Sequence, residues 1–269
     1  MTKNRLDLEL LNRKLVESRS QANNFIKLGK VLVDGKVIKK SGNFVDEKSD
    51  IQLDLNEKYV SRAGLKLASV AKVLELDFRD KIVLDVGSST GGFTDYALQH
   101  GAKKVYAVDV GTNQLHPKLR SDEKVELYEK TDIRSVRVTR GGVTPAEFNE
   151  VNEVVVDRAA GPESVTSEVP DIILIDVSFI SLREILPHIH DCLSDKNTKI
   201  IAMLKPQFEA GKGQTNKGVI KNEAMRRKIL HDFEIWSRQY FVIKNKRDSD
   251  VTGEKGNRER FYLLKSISK

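Results

Sequence analysis

The sequence predicts an α/β fold in which a mostly parallel β-sheet with helices on both faces and an antiparallel edge strand follows a small α+β module. The first observation is that strand-like apolar runs at residues 82–86, 105–110, 172–177 and 200–204 alternate with helical or loop segments. That alternation is typical of a parallel sheet with crossover helices. The second is a glycine-rich turn directly after the first run. The third is an uneven charge distribution, which sets the N-terminal residues apart.

The N-terminal module is predicted to contain two helices and a hairpin. An apolar stripe runs from Leu6 to Val16, and a second short helix ends at Gly29, a residue type that often ends helices. Two short apolar runs then flank Asp34-Gly35, which is a strong signal for a two-residue hairpin turn. We expect this domain to cover residues 1–55, a linker 56–60, and the second domain 61–269.

Charge is separated along the chain. Residues 1–44 contain 10 basic and 4 acidic side chains, a net charge of +6; residues 45–198 contain 19 and 27, a net charge of −8. Residues 199–269 contain 17 and 8, a net charge of +9. Basic ends around an acidic middle suit a protein that binds a polyanion, although solvated helix faces would give part of the same pattern.

The second domain is expected to begin with a helix that Ser61 caps and to end with two antiparallel strands. These strands, at residues 241–246 and 261–265, are joined by only about 14 polar residues, too few for a usual parallel crossover. Residues 150–156 are predicted as an additional short strand.

Composition excludes several classes of protein. The apolar runs are too short to span a bilayer, and the charged N-terminus lacks a secretory apolar region. With Cys192 as the single cysteine, neither an internal disulfide nor a cysteine-based zinc site is expected. We therefore expect a cytoplasmic enzyme with no metal and no membrane association; the sequence does not indicate the oligomeric state.

The glycine-rich turn, residues 85–93, predicts a nucleoside-type cofactor site. It follows a buried strand and opens a helix, whose N-terminus offers free N–H donors. Asp109 ends the next strand, where a carboxylate typically accepts from ribose hydroxyls. Asp85 is placed to meet a cationic amino group, and Asp132 is read either as an adenine contact or as a helix cap. The predicted cofactor-binding residues are Asp85, Gly87, Ser88, Ser89, Gly91, Gly92, Phe93, Asp109 and Asp132.

Two further strand ends carry charged residues. Asp176 follows the run at residues 172–175, and Lys205 follows the run at residues 200–204. Side chains at the carboxyl ends of strands in an open α/β sheet face the ligand crevice. Both should therefore lie near the Gly87 loop, unless they merely form an ion pair at the rim of the sheet.

The segments Tyr59–Leu67, Asp85–Phe93, Asp176–Ser181, Lys205–Glu209 and Gly256–Glu259 together resemble the TlyA family, once called haemolysins, whose members are ribosomal RNA 2′-O-methyltransferases. The N-terminal module looks like the RNA-binding domain named after ribosomal protein S-four. The resemblance implies a Rossmann-like, FtsJ-like methyltransferase domain, S-adenosylmethionine as cofactor, and cytidine in ribosomal RNA as target. Carried over by position, the tetrad of this class is Lys66, Asp176, Lys205 and Glu259.

Such a tetrad is chemically reasonable for a ribose hydroxyl, which is a poor nucleophile. Aligning the reacting atoms can supply about 7–11 kcal/mol of the barrier, whereas a positioned base adds about 10²–10⁴-fold. Positioning is therefore the larger effect. Lys205 is predicted to contact the 2′-oxygen, either as the base or mainly as the group that orients it.

RNA binding is assigned to the N-terminal module, and its predicted phosphate contacts are Lys14, Arg19, Lys27, Lys30 and Lys36. The alternatives are a non-catalytic RNA-binding or ribosome assembly factor, an NAD-dependent oxidoreductase and a haemolysin. An oxidoreductase would explain the glycine loop and Asp109, but neither the basic module nor Lys205.

Overall fold

In the computed structural model, the chain divides into two compact units, residues 1–58 and 59–269. The structure describes residues 3–16, 19–53, 59–139, 142–145, 169–211, 218–220, 222–253 and 256–268. The first boundary of the proposed linker, and its residues 56–58, fall outside these residues. The strand predicted at residues 150–156 also lies outside them.

The N-terminal unit combines two helices with short strands. Its elements are β1 (Lys3–Arg5), α1 (Leu6–Asn12), α2 (Arg19–Leu28), β2 (Val31–Val33), β3 (Lys36–Val37), β4 (Phe44–Asp46) and β5 (Ile51–Leu53). The strands pair as β1-β4 and as β3-β2-β5. The predicted hairpin is confirmed, because β2 and β3 pair antiparallel. Its turn residues Asp34 and Gly35 both have positive φ, 49° and 75°, as this two-residue turn requires.

The larger unit contains the remaining elements. They are α3 (Arg62–Ala71), β6 (Ile82–Val86), α4 (Gly92–Gln99), β7 (Lys104–Val108), α5 (Pro117–Arg120), β8 (Val125–Tyr128), a 3₁₀ turn (Ile133–Ser135), β9 (Val136–Thr139), β10 (Gly142–Pro145), β11 (Ile172–Ile175), α6 (Leu182–His188), a π turn (Ile189–Leu193), β12 (Lys199–Leu204), α7 (Pro206–Glu209), α8 (Glu223–Ser237), β13 (Phe241–Asp248) and β14 (Arg260–Ser266).

A seven-stranded sheet in the order β13-β14-β12-β11-β6-β7-β8 organises this unit. The five strands from β12 to β8 are parallel to their neighbours, while β14 pairs antiparallel with both β12 and β13. The predicted α/β fold with an antiparallel edge is confirmed. The first strand of the sheet, β6, is the middle one of the five parallel strands, where the order of connection reverses and a ligand crevice is expected.

Alternating strand residues fill two cores, one on each face of the sheet. Leu84 and Ile173 belong to a buried cluster that includes residues of α6 and α8. Val83 and Leu174 belong to the other cluster, which includes residues of α3 and α4. Because both faces are covered, every residue of β11 is buried, which explains its continuous apolar run. Each such side chain contributes about 1.5–3 kcal/mol on full burial.

Helix α3 begins where the sequence predicts, but its cap differs. Ser61 occupies the position before the first helical residue, yet its side chain makes no capping hydrogen bond. Its hydroxyl is instead buried against the start of α4, where a Cβ on Gly92 would collide with it. Ser61 therefore fills space between two helices. Among the residues that the structure describes, no helix is both long and apolar enough to cross a membrane.

Candidate active site

The glycine loop after β6 is shaped by backbone conformations that most residues avoid. Gly87 and Gly91 have φ of 79° and 91°. A Cβ on Gly87 would lie 2.7 Å from the carbonyl oxygen of Asp176, so a side chain there would force apart the ends of β6 and β11. The loop is also fixed from the other side, because the backbone N–H of Ser89 donates to Asp109 Oδ2 at 2.8 Å.

Asp85, beneath this loop, is a buried carboxylate with too few donors. Its side chain accepts from Thr94, whose Oγ1 lies 2.6 Å from Oδ2, while Oδ1 is buried and has no hydrogen-bond partner. Burial, supported by repulsion from Asp176 and Asp109, raises the pKa of Asp85 to about 7 against the favourable bond from Thr94. Such a group can gain a cationic partner at little cost.

Two adjoining cavities open at this end of the sheet. The larger, about 340 Å³, is lined by Asp109, Asp132 and Phe179 among others. The smaller, about 130 Å³, is lined by residues that include Asp85, Ser88, Phe93 and Lys205. Gly87, Ser89, Asp176 and Ser178 border both. All of the predicted cofactor residues except Gly91 and Gly92, together with two members of the tetrad, thus meet at one crevice.

Asp109 and Asp132 already have partners within the protein. Asp109 Oδ1 accepts from the N–H of Gly111 at 2.7 Å and Oδ2 from Ser89, which leaves further lone pairs for a ligand. Asp132 caps the 3₁₀ turn by accepting from the N–H of Arg134 at 2.9 Å. The hydrogen-bonded Arg134 guanidinium lowers the pKa of Asp132. Asp132 both caps the turn and borders the larger cavity, so the two readings of this residue are compatible.

The four residues of the predicted tetrad form two ion pairs. Lys205 Nζ lies 2.6 Å from Asp176 Oδ1 and donates to Ser178 Oγ at 2.7 Å. Lys66 Nζ lies 3.2 Å from Glu259 Oε1. Glu259 is 2% exposed, and its second oxygen is buried with no hydrogen-bond partner.

Strand register brings the two ion pairs to the same end of the sheet. In the antiparallel ladder between β12 and β14, Leu204 lies opposite Arg260. One step further along the same register, Lys205 comes opposite Glu259. Helix α3, which carries Lys66, packs on α4 beside this end. The structure therefore places all four side chains around the carboxyl ends of β11 and β12.

The segments that follow β11 and β12 are joined by several further contacts. Glu209 accepts from Ser181 Oγ and from the backbone N–H of Leu182, both at 2.7 Å. The rings of Phe179 and Phe208 lie 5.2 Å apart between their centroids. Burial raises the pKa of Glu209 against these two hydrogen bonds. Sequence reasoning placed none of these residues in the site, although Glu209 and Phe179 belong to the quoted segments.

Phe179 is unusual in two ways. Its φ is 66°, a conformation that is strained for a bulky residue, and its side chain is 92% exposed. The strain is held by the contacts of the neighbouring segments. An aromatic ring is thus presented to solvent at the mouth of the larger cavity.

The predicted RNA contacts in the N-terminal unit are spread over its surface. Lys14 and Lys36 are exposed, and Lys30 Nζ lies 5.0 Å from the centre of the Phe25 ring. The side chain of Lys27 lies outside the described residues. Arg19 is half exposed, with its Nε 2.9 Å from Oδ2 of the buried Asp7; Arg5, which the sequence analysis missed, binds the same carboxylate at 3.0 Å.

No group of three or more His, Cys, Asp or Glu side chains in the described part of the chain could hold a metal ion.

Two family descriptions match this chain. An FtsJ-like methyltransferase domain matches residues 59–266, and an S4 domain matches residues 4–51.

Relatives cover nearly the whole chain. The 23S rRNA (cytidine-2′-O)-methyltransferase TlyA of Campylobacter jejuni is 35% identical over 94% of this chain and 96% of its own length. Hemolysin A of Brachyspira hyodysenteriae is 37% identical over 98% of this chain and 99% of its own length. A solved structure from Streptococcus thermophilus, which also carries a hemolysin name, is 36% identical with a TM-score of 0.69; the match covers all of this chain and 90% of the other.

Proposed function

The chain belongs to the FtsJ-like methyltransferase family, and from that premise we propose that it methylates the ribose 2′-hydroxyl of a nucleotide in ribosomal RNA, with S-adenosylmethionine as the methyl donor. The observation that carries the proposal is the pair Lys205–Asp176, at 2.6 Å, beside a crevice that also holds Asp85. The names of the Campylobacter jejuni relative and of a Mycobacterium tuberculosis relative, 32% identical over 97% of this chain, support cytidine as the target.

The crevice fits an amino-acid nucleoside. Asp85 Oδ1 and Ser88 Oγ are buried without hydrogen-bond partners beside the smaller cavity, and they match the ammonium and carboxylate of a methionine moiety. Asp109 would bind the ribose hydroxyls in the larger cavity, with Asp132 near the base. Phe93 would form the wall at the start of α4, and Gly91 and Gly92 would shape the turn that precedes it. When bound, S-adenosylmethionine supplies a reactive methyl group on a sulfonium.

Lys205 is the residue that would orient the 2′-oxygen. An ammonium has three N–H donors; one donates to Ser178 Oγ, while Asp176 Oδ1 lies 2.6 Å from the nitrogen in an ion pair. A further N–H can donate to one lone pair of the 2′-oxygen and so aim another at the methyl group. Lys66 and Glu259 would form the second ion pair of the tetrad. The proton of the hydroxyl would pass to a carboxylate of this cluster or to water as the new O–C bond forms and the bond between the methyl group and the donor's sulfur breaks.

Phe179 would receive the target base. Exposed aromatic rings bind unstacked bases, and each such stacking contact contributes about 1–3 kcal/mol in single-stranded recognition. The ring is 92% exposed and borders the same cavity as Asp176. A nucleotide turned out of its helix could therefore place its base on Phe179 and its ribose near Lys205.

The N-terminal unit would anchor the RNA. Asp7, which is 0% exposed, holds Arg5 and Arg19 at the surface, and the predicted lysines add further cations. Deletion of residues 1–55 should weaken RNA binding and flatten its salt dependence by about one unit per lost phosphate contact. Equal affinity and equal salt slope for the two proteins would move the anchor to the basic C-terminal segment.

The decisive test is to map 2′-O-methyl groups in 16S and 23S ribosomal RNA from cells with and without this gene. We expect at least one cytidine to lose its 2′-O-methyl group without the gene and to regain it when the purified protein and S-adenosylmethionine are supplied. An unchanged modification map would favour a non-catalytic role in RNA binding or ribosome assembly.

A further inference from the structure

A cleft on the antiparallel edge of the sheet is rich in arginine and lies outside the site described so far. It has a volume of about 560 Å³ and is lined by residues that include Lys246, Arg247, Asp248, Asp250, Arg258 and Arg260. We call it the arginine cleft. We propose that it binds phosphate groups of the RNA chain that flank the nucleotide being methylated; the proposal rests on the proposed function.

The floor of the cleft is a fixed network of charges. Asp248 Oδ1 lies 2.8 Å from Arg226 Nη2 and 2.6 Å from Arg260 Nε. The Arg226 side chain is only 5% exposed, and its Nε donates to the backbone oxygen of Arg258 at 3.2 Å. Arg226 therefore fixes both Asp248 and the backbone that carries Arg258. A rigid floor means that little side-chain freedom is lost when an anion binds above it.

Above this floor, two arginines have only loose partners. Arg247 is 51% exposed and lies 3.7 Å from Asp250, while Arg258 is 58% exposed and lies 4.0 Å from Asp248. Both distances exceed a normal hydrogen bond, so the guanidinium N–H groups remain available to a ligand. The lining residues named above comprise four cations and two carboxylates, a net charge of +2.

The position of the cleft points to the RNA substrate. Strand β13 ends, and strand β14 begins, at the same end of the sheet as the carboxyl ends of β11 and β12. Arg258 is adjacent in sequence to Glu259, whose carboxylate pairs with Lys66. Neighbouring strands lie about 4.8 Å apart, so the end of β13 is about 10 Å from Lys205. An RNA strand with its ribose at Lys205 would therefore bring its next phosphates to the cleft.

The chemistry of the lining favours nucleic acid over a protein partner. Every described residue that lines the cleft is polar or charged, whereas the centre of a protein interface is usually apolar and depleted in charge. Guanidinium groups offer planar pairs of donors that match phosphate oxygens. The backbone of RNA presents such oxygens at every nucleotide, so the cleft needs no particular base sequence.

The test compares full-length variants Arg247→Ala, Arg258→Ala and the double variant with the control Arg79→Ala. Arg79 is a more exposed arginine that also pairs with an aspartate, but it precedes β6 and so lies at the opposite end of the sheet. RNA affinity is measured with transcribed 23S and 16S ribosomal RNA over a salt series, S-adenosylmethionine affinity by calorimetry, and methyl transfer by steady-state kinetics.

Each phosphate contact contributes about 0.7–0.9 to the salt slope of binding, so the double variant should lose about 1.5. We also expect its KM for RNA to rise at least fivefold, with kcat and cofactor affinity within twofold of the parent. The unchanged cofactor affinity would show that the fold is intact.

A double variant with the same slope and the same KM as Arg79→Ala would overturn the proposal while leaving ribose methylation by the parent protein in place. Conversely, a parent protein that forms no 2′-O-methyl product would overturn the proposed function. The slope comparison would still report on the cleft, because RNA binding requires no chemistry. A loss of cofactor affinity equal to the loss of RNA affinity would also count against the proposal, since it would indicate a structural role.

Discussion

Two buried aspartates, one in each unit, have opposite electrostatic surroundings. Asp7 in the N-terminal unit accepts from Arg5 Nε and Nη2, from Arg19 Nε and from the N–H of Leu8. The hydrogen-bonded guanidinium of Arg5, with that of Arg19, lowers its pKa despite burial. Asp85 in the larger unit accepts only from Thr94, and burial raises its pKa to about 7.

The difference separates two uses of a buried carboxylate. All the hydrogen bonds that Asp7 accepts come from its own unit, and their effect is to hold two arginines at the surface. Asp85 Oδ1 has no hydrogen-bond partner within the protein, so it is available to the proposed ligand. Buried polar atoms that lack partners are costly. In the larger unit, Asp85 Oδ1, Ser88 Oγ and Glu259 Oε2, all from residues predicted for the site, are of this kind, as are atoms of Ser61, His190 and Gln207.

The largest expected effect tests whether the crevice residues act in chemistry. Lys205→Ala should lower methyl transfer to ribosomal RNA by at least 1,000-fold, because it removes the donor proposed to orient the 2′-oxygen. Single-turnover assays with saturating RNA and S-adenosylmethionine measure this directly. Lys103→Ala, an exposed lysine at the start of β7, is the control and should keep the parent rate. Turnover within tenfold of the parent would remove Lys205 from its central role.

The next effect contrasts the two aspartates. Asp85→Asn should weaken S-adenosylmethionine binding by more than tenfold, because an amide lacks the charge that attracts an ammonium. Asp7→Asn, the matched change at the satisfied site, should leave cofactor affinity unchanged. Isothermal calorimetry distinguishes the two, and equal affinities for the two variants would break the comparison. Asp109→Ala should also weaken S-adenosylmethionine binding by more than tenfold, because it removes the proposed contacts to the ribose hydroxyls and the hydrogen bond from the Ser89 N–H.

The pH dependence of cofactor binding sharpens the same contrast. An ammonium binds the ionised form of Asp85, whose pKa is about 7. Affinity should therefore fall up to tenfold per pH unit below 7. It should level off above 7 until the amino group of the ligand loses its own proton near ~7.7–8.0. Binding titrations between pH 5.5 and 8.5 would measure the loss of affinity on both the acid and the alkaline side. The loss of affinity below pH 7 should be absent in Asp85→Asn, and its persistence there would assign it to the titration of another group.

The smallest effect concerns the fold of the N-terminal unit. Asp7→Asn should lower its local stability by about 1–3 kcal/mol, since several charge-assisted hydrogen bonds lose their acceptor. Hydrogen exchange of residues 3–53 in the full-length protein would report the loss, with the exchange of β6 and β11 as the internal reference. Exchange that stayed at the parent level would mean that Arg5 and Arg19 are held by other contacts.

Much of the fold could be predicted because its signals are local. The apolar run of β11 and the Asp34-Gly35 turn reflect burial on two faces and a backbone with positive φ, and both are visible in the sequence. The edge pair β13 and β14 followed from the length of its connection. The prediction that the Ser61 side chain caps α3 was wrong. Its hydroxyl is buried against the start of α4, a tertiary contact that the local sequence does not indicate.

The site was predictable only in part. Charged residues at strand ends can be recognised from position, and the structure pairs Asp176 with Lys205 and Lys66 with Glu259 as ion pairs. Their catalytic roles remain predictions. The sequence did not indicate the exposure of Phe179 or the bonds of Glu209 to the start of α6, because these depend on two segments that meet only in the folded chain. Arg5 was missed for the same reason, since its partner Asp7 is identified only by burial.

Glu209 and the ring of Phe208 follow Lys205 within one short segment, and they hold the segment that carries Phe179. Phe179, proposed to accept a base, and Lys205, proposed to orient the ribose, therefore lie on two segments that are bonded to each other. A substitution that moves Phe179 to admit a different nucleotide would also shift the neighbouring Ser178. The Lys205 amine, which donates to Ser178, would shift with it. Selectivity and turnover in this protein should consequently change together, so a variant with a new target would need compensating changes in both segments to keep its speed.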